Sequence, residues 1–330
     1  MCRLVCESAN LAHFIIKVRG GVALIQNSIW NKKRKREIGF LMFSLIPFFT
    51  MLFIFKILPI FANVYYSLRD IEVQTSGVFV GLKNYRTLIR DPLFYKVLKN
   101  TFTYLLYVGP VNIIFGFLLA MLLNQKLKGT TFSRAVIFLP YILMTTLVGI
   151  TFRWLLDGNN GLLNYYLSFL GIAPIYWLTQ SSTSMLGIAI ASIWWTIGYN
   201  TVIYLAALQG VPREYIEAAS IDGANGIQRL FRIIIPCVKN TTFFVVLTTV
   251  INSMQVFGQV YVMTSGGPNY STVTFVQYLY IKAFREFKLG YAASIGVVLF
   301  FIILIMSAII FFLFSDHDVI KNKIMKKRIS

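Results

Sequence analysis

Uncharged runs of about twenty residues alternate with short polar segments along this chain. A helix that crosses a bilayer needs about 20 mostly apolar residues. Ile38–Leu58, Thr101–Leu123, Ala135–Leu155, Met185–Leu208, Thr241–Met263 and Tyr291–Phe314 meet that length, which predicts six membrane helices. Pro47, Pro110 and Pro140 lie inside or near these runs. Membrane helices tolerate proline when neighbouring groups satisfy the freed backbone. A further apolar run, Leu162–Leu178, mixes Asn164, Gly171, Pro174 and Trp177 with three tyrosines. That mixture predicts an interfacial segment, because amphipathic aromatics gather at the membrane surface. "GLKNYRTLIRDPLFYKVLKNT", Gly81 to Thr101, has helical spacing and predicts a surface helix feeding the second span.

Composition and charge sharpen this picture. Of 330 residues, 57% are apolar and only 13% charged, against about a quarter charged in soluble domains. The net charge of +19 does not imply nucleic acid. A nucleic-acid binder carries a basic patch on a polar fold, whereas here the cations lie between and beyond the apolar runs. They predict a positive-inside orientation and contact with anionic lipid. "KKRKR" at Lys32–Arg36 precedes the first run and assigns the N-terminus to the cytoplasm. Six spans then bring 124–134, 209–240 and the C-terminal tail to the same side, and the inside segments hold 20 of the 31 Lys and Arg. No Lys or Arg occurs from Trp154 to Pro212. The first outside loop departs from the rule with Arg69, Lys83, Arg86, Arg90, Lys96 and Lys99. The domain organisation expected is a cytoplasmic tail at 1–37, an all-α six-helix membrane domain at 38–315 and a basic cytoplasmic tail at 316–330.

Several chemistries lack their residues. Cys2, Cys6 and Cys237 have neither metal spacing nor a disulfide framework. Residues 1–31 do not read as a signal peptide, since Lys17, Arg19 and two glycines interrupt the apolar run. No Asp or Glu lies mid-span, and both histidines, His13 and His317, are in the tails. A proton-coupled carrier, an intramembrane metalloprotease or a haem helix pair would each require such groups. No G-x-x-x-x-G-K-[ST] phosphate loop occurs. The expectation is that the chain is not an enzyme and carries no cofactor or metal. Any driving force comes from an ion gradient or another polypeptide.

One polar insertion stands out, "EYIEAASIDGANGIQRLFRIIIP" from Glu214 to Pro236, within a loop spanning 212–236. Pro212 suits a first helical position, and Glu214 and Glu217 complement the dipole of a helix start. Ala218, Ala219 and Ser220 allow close approach by another surface. Gly223 suits the left-handed residue that ends a helix, and Asn225 suits the cap of a second helix running from Gly226 to Ile235. Pro236 is expected to bend the chain into the fifth span. On this physics alone an ordinary amphipathic connector and a docking platform fit equally well.

Glu217-Ala218-Ala219, then three residues, Gly223, nine residues and "IIIP" at Ile233–Pro236 resemble the EAA loop of ABC importer permeases. Ile235 stands where that pattern has leucine. "VGLKNYRTLIRDPLFYKVLKNT", "LNQKLKG", "FSRAVIFLPYIL", "MTSGGP" and "YIKAFREFKLGYAAS" are similar to the carbohydrate-uptake branch, that of the maltose and glycerol-3-phosphate importers. The resemblance covers Ile38 to Ser315. It implies the type I importer permease fold in a bacterial cell membrane, with both termini cytoplasmic. The implied partners are a second permease subunit, usually a different chain, two ATP-binding subunits and an extracytoplasmic solute-binding protein. Glu217, Ala218, Ala219, Asp222 and Gly223 would couple the chain to the ATPase. The resemblance places the substrate pathway on the fourth and fifth spans.

Helical spacing puts Trp194, Ile197, Gly198 and Thr201 on one face of the fourth span, and Thr249, Asn252, Ser253 and Val256 on one face of the fifth. Either these line a sugar path or they are hydrogen-bonding contacts between helices. Trp195, Asn200 and Gln255 are adjacent alternatives. The competing functions are an importer permease for a non-carbohydrate solute and a self-sufficient secondary carrier.

Overall fold

A computed structural model describes residues 39–72, 77–125 and 129–315. The proposed tails 1–37 and 316–330, with "KKRKR", Cys2 and Cys6, lie outside the described residues, as do Lys126 and Lys128 of "LNQKLKG". Two units divide at Ala62. The first unit is the helical stretch from Gly39, part of α1 (Gly39–Ser67), which includes a π-helical turn at Phe53–Ile57.

The second unit starts with the end of α1. A two-residue hairpin follows, β1 (Arg69–Asp70) against β2 (Val78–Phe79), antiparallel, with Arg69 opposite Phe79. Next come the short helix α2 (Lys83–Arg90) and the long helix α3 (Pro92–Leu123). Asp91 sits between them for a reason. Its carboxylate accepts the Leu93 N–H at 2.9 Å, and Pro92 occupies the first turn, where its missing N–H is not needed. The same carboxylate accepts the hydroxyls of Tyr278 and Tyr291. Partial burial raises its pKa, but these hydrogen bonds and the nearby Lys282 outweigh that and hold it below the ordinary aspartate value.

The chain continues through α4 (Thr130–Ile142), α5 (Thr145–Leu155), α6 (Leu162–Ser168), α7 (Ser184–Gln209), α8 (Arg213–Ile221), α9 (Gly226–Arg229), α10 (Ile235–Cys237), α11 (Lys239–Met254), α12 (Gly258–Met263), α13 (Phe275–Tyr280) and α14 (Leu289–Phe314). Among the described residues, five helical stretches have the length and composition to cross a membrane, Gly39–Ser67, Pro92–Leu123, Ser184–Gln209, Lys239–Met263 and Leu289–Phe314. The pair α4 and α5 meets the same test jointly and makes a sixth if the two count as one broken span.

Two expected spans are not simple rods. Ala135–Leu155 is broken by a bend of 96° between α4 and α5. Pro140 lies in the last turn of α4, where it supplies no N–H to the helix, and Leu143 and Met144 are extended. Thr241–Met263 is interrupted at Gln255–Phe257, between α11 and α12. The second span begins nine residues earlier than the apolar run, because the helix started by Asp91 continues without a break into the membrane. Leu162–Leu178 contributes only α6 and turns. Asn164 organises it, donating to Gly158 O and Ile175 O at 2.9 Å and accepting from the Trp177 indole at 3.1 Å.

Packing joins the spans at two levels. Ala120 and Leu123 of α3, Tyr204, Leu205 and Leu208 of α7, and Val238 and Val245 cluster near the 212–236 loop. At the other level Leu88, Phe94 and Val97 pack with Val273, Phe275, Tyr278 and Ile295. Outward side chains such as Phe300, Leu304 and Phe311 remain apolar and exposed, as hydrocarbon surroundings require.

Candidate functional site

The two broken spans meet. A Cβ on Gly258 would lie 2.5 Å from Thr145 Cγ2, and one on Gly149 would lie 2.8 Å from Val262. Glycine at both positions therefore lets α5 and α12 lie in close contact. Each break frees backbone carbonyls, and side chains take them up. The Trp195 indole donates to Leu143 O at 3.1 Å, and Thr274 Oγ1 donates to Val256 O at 2.8 Å. Irregular backbone at membrane depth is tolerated where protein groups satisfy it or where it lines a cavity.

Both conditions hold here. A cavity of about 400 Å3 opens at the breaks, within the usual range of roughly 300–1,000 Å3 for ligand sites. α3 supplies Tyr104, Val108 and Asn112, and the α4–α5 break supplies Tyr141 and Thr145. α7 supplies Trp195, Thr196, Tyr199 and Asn200. The fifth span supplies Thr249, Asn252, Ser253, Gln255 and Val256 through to Gln259. Tyr141 stacks on Tyr199 with ring centroids 4.7 Å apart and leans on Trp195 at 5.9 Å. The wall thus combines flat aromatic faces with amides and hydroxyls and carries no charge.

Two amides in this wall have capacity to spare. Asn112 is 1% exposed and donates to Thr196 Oγ1 at 3.0 Å, yet its carbonyl oxygen has no partner among the described residues. Asn252 is exposed to the cavity and makes no side-chain hydrogen bond to a described residue. Asn200 instead bridges the fourth and fifth spans, reaching Thr249 Oγ1 at 3.4 Å.

The expected pathway residues fall into two groups. Thr249, Asn252, Ser253 and Val256 all line the cavity. Trp194, Ile197, Gly198 and Thr201 do not line it. Gly198 explains the rotation, since a Cβ there would lie 2.0 Å from Ile137 O. α7 must turn that face toward α4, which leaves Trp195, Thr196, Tyr199 and Asn200 on the cavity. Trp194 packs on Phe152 instead, and Thr201 bonds back to Ile197 O. Asn112 was not anticipated. An asparagine between Val111 and Ile113 at the middle of a span was its signal.

The 212–236 loop is built from two capped helices. α8 ends in Gly223 at φ +78°, with Gly223 N–H on Ser220 O and Ala224 N–H on Ala219 O. This is the paired closure of a Schellman end. Asn225 and Gln228 then form a reciprocal capping box at α9. Arg229 donates to Ser220 Oγ at 2.7 Å and ties the two helices together. Glu217, Ala218, Asp222 and Gly223 are exposed and Ala219 half-buried. Ile221, 87% exposed, is joined at the surface by Tyr215, Ile227 and Phe231.

Two details of this loop differ from expectation. Pro212 is the residue before the helix and not its first. The second helical run does not stop at Ile235. It passes through a π-helical turn at Leu230–Ile234 and ends at Cys237, so the chain turns at Val238 and not at Pro236. The wider turn accommodates Pro236, whose ring would crowd the carbonyl four residues back.

The chain belongs to the family of binding-protein-dependent transport system inner membrane components, which it matches over residues 112–324. It is a multi-pass membrane permease of the ABC importer type. It is 30% identical to the trehalose/maltose transport system permease protein MalF of Thermococcus litoralis, over 88% of this chain and 97% of that one. It is 34% identical to the arabinooligosaccharides transport system permease protein AraP of Bacillus subtilis, over 79% and 83%. Its fold matches a solved bacterial alginate ABC transporter, crystallised with an alginate pentasaccharide-bound periplasmic protein. The TM-score is 0.72 at 22% identity, over 84% of this chain and 94% of that one.

Proposed function

We propose that this chain forms half of the pathway of an ATP-driven importer for a sugar or sugar derivative. The observation that carries the reading is the uncharged cavity at the two span breaks, where stacked aromatics stand beside two amides with unmet hydrogen-bonding capacity. Aromatic faces suit the apolar side of a sugar ring, and amides suit its hydroxyls. MalF and AraP, named for sugar transport, support the same class. The permease domain is taken as 38–315, with both termini cytoplasmic. Glu217, Ala218, Ala219, Asp222 and Gly223 form the contact to an ATPase subunit. A second permease, two ATPases and a solute-binding protein complete the machine, and ATP-driven closure of the ATPases rocks the spans to expose the cavity outward.

The cavity is tested by Asn252→Leu and Asn112→Leu. Loss of one hydrogen bond to substrate is expected to reduce apparent affinity about 10-fold or more. The measurement is uptake of radiolabelled maltose, trehalose and arabino-oligosaccharides in cells with matched membrane levels, together with basal ATP hydrolysis. Reduced uptake with unchanged basal hydrolysis is expected. Loss of assembly in both variants would assign these amides to helix packing.

A further inference from the structure

The outer loop that departs from the positive-inside rule has a structure that explains its charge. α2 is held rigidly on one side. Asn84 donates to Ser67 O and Arg69 O, both at 2.9 Å, Tyr85 and Ser67 share a hydrogen bond of 2.6 Å, and Leu88 is buried. The Asp91 carboxylate locks the elbow into α3 through Leu93, Tyr278 and Tyr291. The other side of α2 displays Arg86 and Arg90, both exposed, and neither guanidinium pairs with a described residue. Lys83 precedes them, half-engaged with Asp70 at 3.1 Å. Beside α2 lies a cleft of about 510 Å3 of mixed charge, lined by Asp70, Glu72 and Asp91 as well as Lys83, Arg90, Lys282 and Lys288, with Lys282 and Lys288 paired to Glu286.

The position of this surface bears on its partner. α3 has 32 residues, which at about 1.5 Å each span roughly 48 Å. The hydrocarbon core is only about 30 Å thick, or roughly 40–45 Å with headgroups. Leu123 at one end of α3 packs with Leu208 and Val238 beside the 212–236 loop, and α2 lies at the opposite end of this long helix, where a soluble partner has access.

We infer that the Arg86–Arg90 face of α2 is a docking surface for an acidic patch on the solute-binding protein of this importer. The inference rests on the importer reading, which already requires that protein. A braced helix carrying unpaired arginines suits the role, because its backbone is already ordered by Asn84 and Tyr85, and charge at the edge of an interface steers encounter and sets salt dependence.

The test uses the assembled importer, with its second permease and ATPases, in nanodiscs of neutral phosphatidylcholine. ATP hydrolysis is titrated with purified solute-binding protein. Arg86→Glu/Arg90→Glu is expected to raise the concentration for half-maximal stimulation by about tenfold, with the maximal rate unchanged. Added salt should weaken the wild type more than the variant, and Asp/Glu→Lys changes on the binding protein should restore the variant. Coincident titration curves at low salt would overturn this docking surface while leaving the importer reading intact. A difference that appears only in nanodiscs of anionic lipid would also overturn it, in favour of a membrane-surface contact. A wild-type complex that the binding protein does not stimulate at all would overturn the importer reading itself.

Discussion

Gly223→Val is expected to uncouple the permease from its ATPase and abolish most uptake, while Gly223→Asn retains most of it. Gly223 has φ +78°, and a Cβ added there would meet nothing within 4 Å. The effect is therefore one of backbone conformation, not of crowding. A left-handed backbone costs a residue with a Cβ roughly 1–2 kcal/mol. A β-branched residue is a true outlier there, whereas asparagine visits the region readily. Strain at this point opens the closure of α8, where Ala224 N–H meets Ala219 O. That displaces Glu217 and Ala218 from the surface they present. Glu217→Lys should give the same phenotype through charge, since a carboxylate partner is replaced by a cation. The measurements are ATPase co-purification with the tagged permease and uptake in the same cells. Both should fall about tenfold or more in Gly223→Val. Normal co-purification and normal uptake in Gly223→Val and Glu217→Lys would contradict the coupling assignment.

Gly198→Leu is expected to prevent stable folding, and even Gly198→Ala to be costly. A Cβ at this position would lie 2.0 Å from Ile137 O, with Ile137 C and Phe138 Cα also inside 3.2 Å. The obstacle is the backbone of α4, which cannot rotate away as a side chain can. Overpacking of this kind costs about 1–3 kcal/mol or more. Gly116→Ala provides the contrast. Its nearest contact would be Asn200 Cβ at 3.1 Å, so a shift of a few tenths of an ångström suffices. Thermal denaturation of the detergent-solubilised complex should show Gly198→Ala well below wild type and Gly116→Ala near it. Equal melting temperatures for the two would contradict the close approach of α4 and α7.

The same glycine shows where the sequence stops being informative. Apolar runs and caps are local, so most of the spans, the Gly223 closure and the Asn225 cap could be read from neighbouring residues, whereas the start at Asp91, nine residues before the apolar run of the second span, was not. The face of the fifth span could be read because Thr249, Asn252 and Ser253 are its polar residues on one side. The fourth span is apolar almost all round, with Trp194 and Trp195 adjacent, so its rotation depends on what it packs against. Gly198 fixes that rotation, but only the position of the Ile137 carbonyl reveals it. The bend after Ile142 has the same origin. Pro140 permits a break, but the Trp195 indole, 52 residues away along the chain, stabilises it. Asn112 was not anticipated, because one asparagine in an apolar run does not show what its amide faces; its oxygen is without a partner among the described residues.

The central claim is that this chain moves a sugar only as part of an ATP-driven assembly. The most direct measurement reconstitutes the chain in liposomes, alone and with its second permease, ATPases and solute-binding protein, and follows radiolabelled maltose, trehalose and arabino-oligosaccharides. The full assembly should accumulate sugar only when ATP and the binding protein are both present, and the chain alone should move none under a proton or sodium gradient. Gradient-driven accumulation by the chain alone would contradict the account and make it a self-sufficient carrier.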